Sequence, residues 1–210
     1  MSTPLKVDVY YDYLCPFAYE GSVWLNKVEE ELGDQVEFTW KAFPLEQVNS
    51  THGPEWTVWD QPEQVQSFSR NQFAAAYSAE EQGQDAFKRF HHALFSAHHE
   101  DGKVPGKLST LVQVAEEAGL DVEKFKSDLN DKSQWERIGN EYQEGKAKGV
   151  FGTPTLVFPN ESAIYVKMRP AAPEKEVVTV WEQVVSMAEQ PYLAELKKGN
   201  PPAHHQDGKH

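Results

Sequence analysis

The residue with the greatest chemical capacity is Cys15, the only cysteine of the chain, set in Asp12-Tyr13-Leu14-Cys15-Pro16-Phe17-Ala18-Tyr19. A cysteine thiolate is a nucleophile toward disulfides. With one cysteine no internal disulfide exists, so any disulfide Cys15 forms joins it to another molecule. Pro16 follows directly and suits the first position of a helix, where the missing N–H has no partner to lose. Cys15 is therefore expected at a helix N-terminus, where free backbone amides favour an anion. The other reading is a buried structural cysteine that packs as a small hydrophobe. Placement alone leaves both open.

A second segment, Gly149-Val150-Phe151-Gly152-Thr153-Pro154-Thr155-Leu156-Val157-Phe158, places Thr-Pro directly before an apolar strand. Only X-Pro bonds adopt the cis form at modest cost, and a trans proline at a strand start is the commoner alternative. Other groups carry weaker signals. His91-His92 and His98-His99 lack the i,i+4 pair that grips one metal ion from a helix face, so a partly buried or solvated histidine face is expected and no metal site. Trp56 and Trp59 lie in a Gly- and Pro-containing loop and form either a wall beside Cys15 or a cover over the core edge. Tyr10, Tyr11 and Tyr13 precede the thiol and are expected to pack. No GxGxxG, Walker A or GxSxG motif occurs.

The elements that must position these residues follow from periodicity. Leu5, Val7, Val9 and Tyr11 alternate with Lys6, Asp8 and Tyr10, which predicts a strand. Pro16 opens a helix to about Leu32, with Val23, Trp24, Leu25 and Val28 inward and Gly33 as its stop. Val36, Phe38, Trp40 and Ala42 alternate again. Strand, helix and strand with short links form a βαβ unit with parallel strands. Residues 49–62 form a loop. A helical stretch then runs from about Glu63 to Lys148, with stripes at Phe87, Phe90 and Leu94 and at Leu111, Val114 and Ala115. Asp121 caps a short helix, and Ser133 starts another containing Trp135, Ile138 and Tyr142. Strands are predicted at 155–158 and 163–168, joined by Pro-Asn-Glu-Ser. Pro173 opens a last helix, and Pro191 ends or kinks it. The predicted organisation is an α/β domain of residues 1–62 and 149–198, a helical insertion of 63–148, and a disordered tail of 199–210 that holds His204, His205 and His210.

Lys and Arg number 20 against 33 Asp and Glu, a net charge of −13 that repels nucleic-acid phosphates and anionic lipid surfaces. A 39% hydrophobic content suffices for a packed core. No apolar run reaches the roughly 18 residues of a membrane span. The N-terminal residues have no basic segment followed by an apolar run, so no signal peptide is read there. Together with the single cysteine, this predicts a cytoplasmic protein with neither nucleic acid nor membrane as partner.

The Cys-Pro-Phe-Ala segment after an opening strand, the helical block and the Gly-Val-Phe-Gly-Thr-Pro segment resemble the DsbA-like branch of the thioredoxin superfamily. That branch includes thiol oxidoreductases, 2-hydroxychromene-2-carboxylate isomerases and kappa-class glutathione transferases. The resemblance covers about Lys6 to Met187 and implies a thioredoxin fold, a mixed four-stranded βαβ…ββα sheet interrupted by the helical insertion. It makes Cys15 the nucleophile, Pro154 a cis-proline and Thr153 the residue whose backbone faces the thiol. Pro16, Phe17, Thr153, Pro154, Trp56 and Trp59 become the expected substrate-binding residues. The family's second cysteine, in C-x-x-C, is Ala18 here, so a mixed disulfide cannot be resolved from within. Three readings follow: a monothiol oxidoreductase whose Cys15 attacks a disulfide or glutathionylated thiol and is released by glutathione or another small thiol; a glutathione-dependent isomerase or transferase; and a non-catalytic binding protein on the same scaffold. Each implies no tightly bound cofactor and a disulfide or small-molecule partner, with a homodimer left open.

Overall fold

The computed structural model describes residues 3–129 and 131–197. The first strand, β1, is Leu5–Tyr11, and α1, Pro16–Leu32, follows with Pro16 in its first turn. Gly33 closes α1 at φ 52°, a conformation glycine adopts without Cβ strain. A 3₁₀ turn, Gly33–Gln35, leads into β2, Val36–Ala42. β1 and β2 pair in parallel from Leu5↔Val36 to Tyr11↔Ala42. A short helix not expected from the pattern, α2, Leu45–Val48, comes next.

Five helices form the block after the loop: α3, Phe68–Glu80; α4, Gln84–His99; α5, Leu108–Glu117; α6, Val122–Asp128; and α7, Ser133–Ala147. The block begins at Phe68, later than the sequence pattern suggests, because Ser67 accepts from the Arg70 N–H and caps α3 there. Asp121 caps α6 by accepting from the Glu123 and Lys124 amides. The chain then returns to the sheet as β3, Thr155–Val157, and β4, Ala163–Tyr165, and ends in a 3₁₀ turn, Glu174–Glu176, followed by α8, Val177–Ala188. The helix expected from Pro173 thus starts at Val177, and it stops before Pro191. The tail expected at 199–210 lies outside the described residues.

The sheet order is β2-β1-β3-β4, with β3 antiparallel to both neighbours. Both strands of the hairpin are shorter than periodicity predicts. The Val166 N–H still donates to the Pro154 carbonyl (3.1 Å), but Pro154 has no N–H to return the bond, and the ladder ends. Val7 and Val9 bury one face of β1 against Trp24, Leu25 and Val28 of α1 and Trp181 of α8. On the other face Tyr10 packs with Phe43, Val150 and Val157.

Two carboxylates of α7 tie the helical block to this sheet: Glu144 pairs with Lys41 of β2 (2.8 Å), and Glu141 makes three bonds. Glu141 of α7 accepts from the Ala42 N–H at the end of β2 (2.6 Å), from the Tyr77 hydroxyl (2.7 Å) and from Arg137 Nε (2.8 Å). Phe90, Leu94, Leu111, Val114 and Phe125 form the interior of the block, and their cluster continues without a break into Tyr11, Tyr13, Cys15 and Ala18. The end of β1 and the start of α1 therefore lie under the block. Among the described residues, no helix is long and apolar enough to cross a membrane.

Candidate active site

The turn from β1 into α1 is held from below by Asp12, which is fully buried. One carboxylate oxygen accepts from the Leu14 N–H (2.8 Å); the other accepts from the Leu45 N–H (2.6 Å) and the Ser69 hydroxyl (2.8 Å). The turn, α2 and α3 thus converge on one side chain. Burial pushes the Asp12 carboxyl up to about 6, with Glu46 adding to the rise, against the lowering effect of its three donors. The Asp12 carbonyl also accepts from the Cys15 N–H (3.0 Å).

A second set of contacts holds Tyr13 from the α4 side. His99 Nε2 bonds its carbonyl (2.8 Å), and His91 Nδ1 bonds its hydroxyl (2.9 Å). The Tyr11 hydroxyl donates to the Tyr13 hydroxyl (3.3 Å). His91 is 1% exposed, and burial holds its imidazole well below its usual range, so it is neutral at physiological pH. The expected histidine face is thus split. His91 is a core residue under the thiol turn, and His99 stacks on Tyr19.

Cys15 caps α1 with extended backbone, φ −85° and ψ 116°. Its carbonyl accepts from the Tyr19 N–H (3.0 Å), which closes the first helical turn. Cys15 is 4% exposed, and its sulfur donates to the Thr153 carbonyl at 3.3 Å rather than accepting from the helix amides. The Thr153–Pro154 peptide is cis. The Pro154 ring lies against α1 at Gly21, where an added Cβ would come within 2.9 Å of Pro154 Cγ. Glycine at position 21 is what lets the two segments meet. Ala18, three residues after the thiol, is fully buried.

The structure brings together Cys15, Pro16, Phe17, Thr153 and Pro154. The two indoles find other neighbours: Trp59 packs on Gly139 and Tyr142 of α7, and Trp56 lies against His52. Their contacts are those of a core edge. Three residues not singled out from the sequence lie around Phe17 and the end of β4. Tyr165, at the end of β4, has its phenol raised by burial and by its electrostatic interaction with Cys15. Phe151 is 65% exposed, with its ring 5.2 Å from that of Tyr165. Lys167 holds its ammonium 4.0 Å from the Phe17 ring centroid. The period-two placement of Tyr165 and Lys167 was a legible signal, but only the fold brings Lys167 over Phe17.

Two surface concavities, of about 350 and 230 Å³, lie on the helical block and include neither Cys15 nor Thr153 in their linings. Among the described residues no cluster of His, Cys, Asp and Glu has the arrangement of a metal site. The chemistry available at the site is that of one shielded thiol beside an exposed aromatic and cationic rim.

A thioredoxin-type sheet with a helical insertion, and a cysteine at the first helix facing the residue before a cis-proline, define the DsbA-like class. The model of the DSBA-like thioredoxin domain matches residues 6–176, and the chain belongs to that family. Its relatives include the uncharacterized protein Rv2286c of Mycobacterium tuberculosis, 26% identical over 199 residues, which cover 94% of this chain and 83% of that one. The fold is similar to that of 2-hydroxychromene-2-carboxylate isomerase (TM-score 0.64, 18% identity, 87% of this chain and 95% of that one). It is also similar to that of the cytosolic disulfide reductase DsbM from Pseudomonas aeruginosa, solved with GSH (TM-score 0.61, 16% identity, 86% and 100%).

Proposed function

We propose that the protein is a monothiol thiol–disulfide oxidoreductase acting through Cys15, in a reducing cytoplasmic setting. The Cys15 thiolate attacks one sulfur of a disulfide R–S–S–R′. The Cys15–S–S–R bond forms, the R–S–S–R′ bond breaks, and R′S⁻ leaves and takes up a proton. An external thiolate such as glutathione then attacks the R sulfur, and the Cys15 thiolate is restored as the new disulfide departs. Ala18 makes this second, external step obligatory. The Thr153 backbone, whose carbonyl holds the resting thiol, is the edge against which a bound thiol compound would lie. Pro16, Phe17 and Pro154 border that place, while Trp56 and Trp59 contribute through the core edge.

The observation that carries the proposal is the single cysteine capping α1 with its sulfur on the Thr153 carbonyl. Incubation with oxidised glutathione followed by mass spectrometry tests it. One glutathionyl adduct on the wild-type chain, absent from Cys15→Ser, is the expected result. The absence of an adduct would overturn the proposal. The missing second cysteine favours a second reading, a glutathione-dependent isomerase or transferase. That reading predicts saturable, non-covalent glutathione binding with no adduct. Neither binding nor adduct would leave a binding protein on this scaffold.

A further inference from the structure

We infer that Lys167 selects the thiol compound that reacts at Cys15, by pairing with a carboxylate that this compound carries. The inference rests on the exchange reading above and names the chemistry its small-molecule partner must have. Three observations converge on it. First, Lys167 lies against the first turn of α1, the helix that Cys15 caps. The β3–β4 pairing runs through Thr155↔Tyr165, and the Val166 N–H donates to the Pro154 carbonyl. Lys167 follows directly on that last bond, just past the residue bonded to Pro154, whose neighbour Thr153 holds the Cys15 sulfur through its carbonyl. The same ammonium lies over Phe17, two residues past the thiol.

Second, this cation has no anionic partner. Among the described residues, neither Lys167 nor Arg169 forms an ion pair or a hydrogen bond, although the chain carries 33 acidic side chains. Elsewhere lysines near the sheet are paired: Lys41 and Lys148 both contact Asp8 and Glu144. The acidic residue of α1 nearest the site in sequence, Glu20, instead accepts from the Ala171 N–H at 2.7 Å. Third, Thr153 is 3% exposed, and its hydroxyl has no partner among the described residues. A buried polar group left unpaired is unfavourable until a ligand supplies the bond.

A protein of net charge −13 repels an anionic thiol at long range. A lysine over Phe17, with no ion pair among the described residues, reverses that repulsion locally. Because the ammonium already rests on the Phe17 ring, little further ordering is needed to hold it there. A thiol compound carrying carboxylates, such as glutathione, therefore fits this lysine better than a neutral one.

The test compares the rate of Cys15 mixed-disulfide formation with two probes, oxidised glutathione and the neutral 2-hydroxyethyl disulfide. The readout is the ratio of the two rates, which cancels any general change in Cys15 reactivity. Lys167→Ala is expected to lower that ratio about fivefold, the effect of one exposed charge pair. Lys167→Arg should retain the ratio and Lys167→Glu lower it further. Salt should lower the wild-type ratio and leave that of Lys167→Ala nearly flat. A ratio unchanged in Lys167→Ala would overturn the assignment while leaving the exchange reading intact. Failure of both probes to react with the wild-type chain would remove the exchange reading and this inference with it.

Discussion

Cys15 is shielded rather than displayed. Its sulfur is held by a carbonyl that itself depends on Pro154 lying flush against α1. Gly21→Ala tests that dependence. The added methyl must push the proline ring or the helix, because 2.9 Å is too short for carbon–carbon contact. A loss of about 1–3 kcal/mol in urea unfolding is expected, as for other overpacked sites. Alkylation of Cys15 under native conditions should accelerate as the Thr153 carbonyl is displaced. Wild-type stability together with a wild-type alkylation rate would contradict this account of the contact.

Asp12 makes a separate prediction at the same scale. Its folded-state value of about 6 lies above the ordinary 3.8, so the folded protein holds this proton more tightly than the unfolded chain. The group's stabilising contribution is complete below about pH 3.8 and is lost as pH rises through about 6. Between pH 4.5 and 7 the unfolding free energy of the wild type should fall by about 2 kcal/mol relative to Asp12→Asn. A difference between the two proteins that does not vary with pH would contradict the shift.

At the scale of elements, the periodic parts of the chain were readable and the long-range contacts were not. Pro16 and Gly33 bracket α1, and alternation marks β1 and β2, because those signals are local. Cys15 stood out for the same reason, through residue type and neighbours, while Thr153 and Pro154 were placed beside it through the family resemblance. Asp12 and Glu141 did not. Their importance lies in donors 33 and 99 residues away, on elements whose packing no local pattern reveals. The hairpin read too long since its apolar alternation continues past the point where Pro154 stops the ladder. The indoles of Trp56 and Trp59 were drawn toward the thiol only by chemical type, whereas Gly139 provides the recess that takes Trp59. Removing the clasp between block and sheet tests its weight. Glu141→Ala leaves the Ala42 amide, the Tyr77 hydroxyl and Arg137 without their shared acceptor, and a loss of about 3 kcal/mol is expected in chemical denaturation. A loss below about 1 kcal/mol, the scale of an exposed ion pair, would show that the clasp is incidental.

For the whole molecule, the fold supplies a thiol, a backbone edge and a covering block, while the position of a resolving thiol is filled by buried Ala18. On the proposed reading the cycle closes from outside, and Lys167 is proposed to favour an anionic thiol as the closing partner. The most direct measurement isolates the Cys15–glutathione mixed disulfide, adds reduced glutathione, and counts oxidised glutathione released per protein as further glutathionylated substrate is supplied. The account predicts discharge of the adduct and many turnovers per chain, with none in Cys15→Ser. An adduct that persists under excess glutathione would contradict it, because the chain would then be a dead-end thiol and not a catalyst.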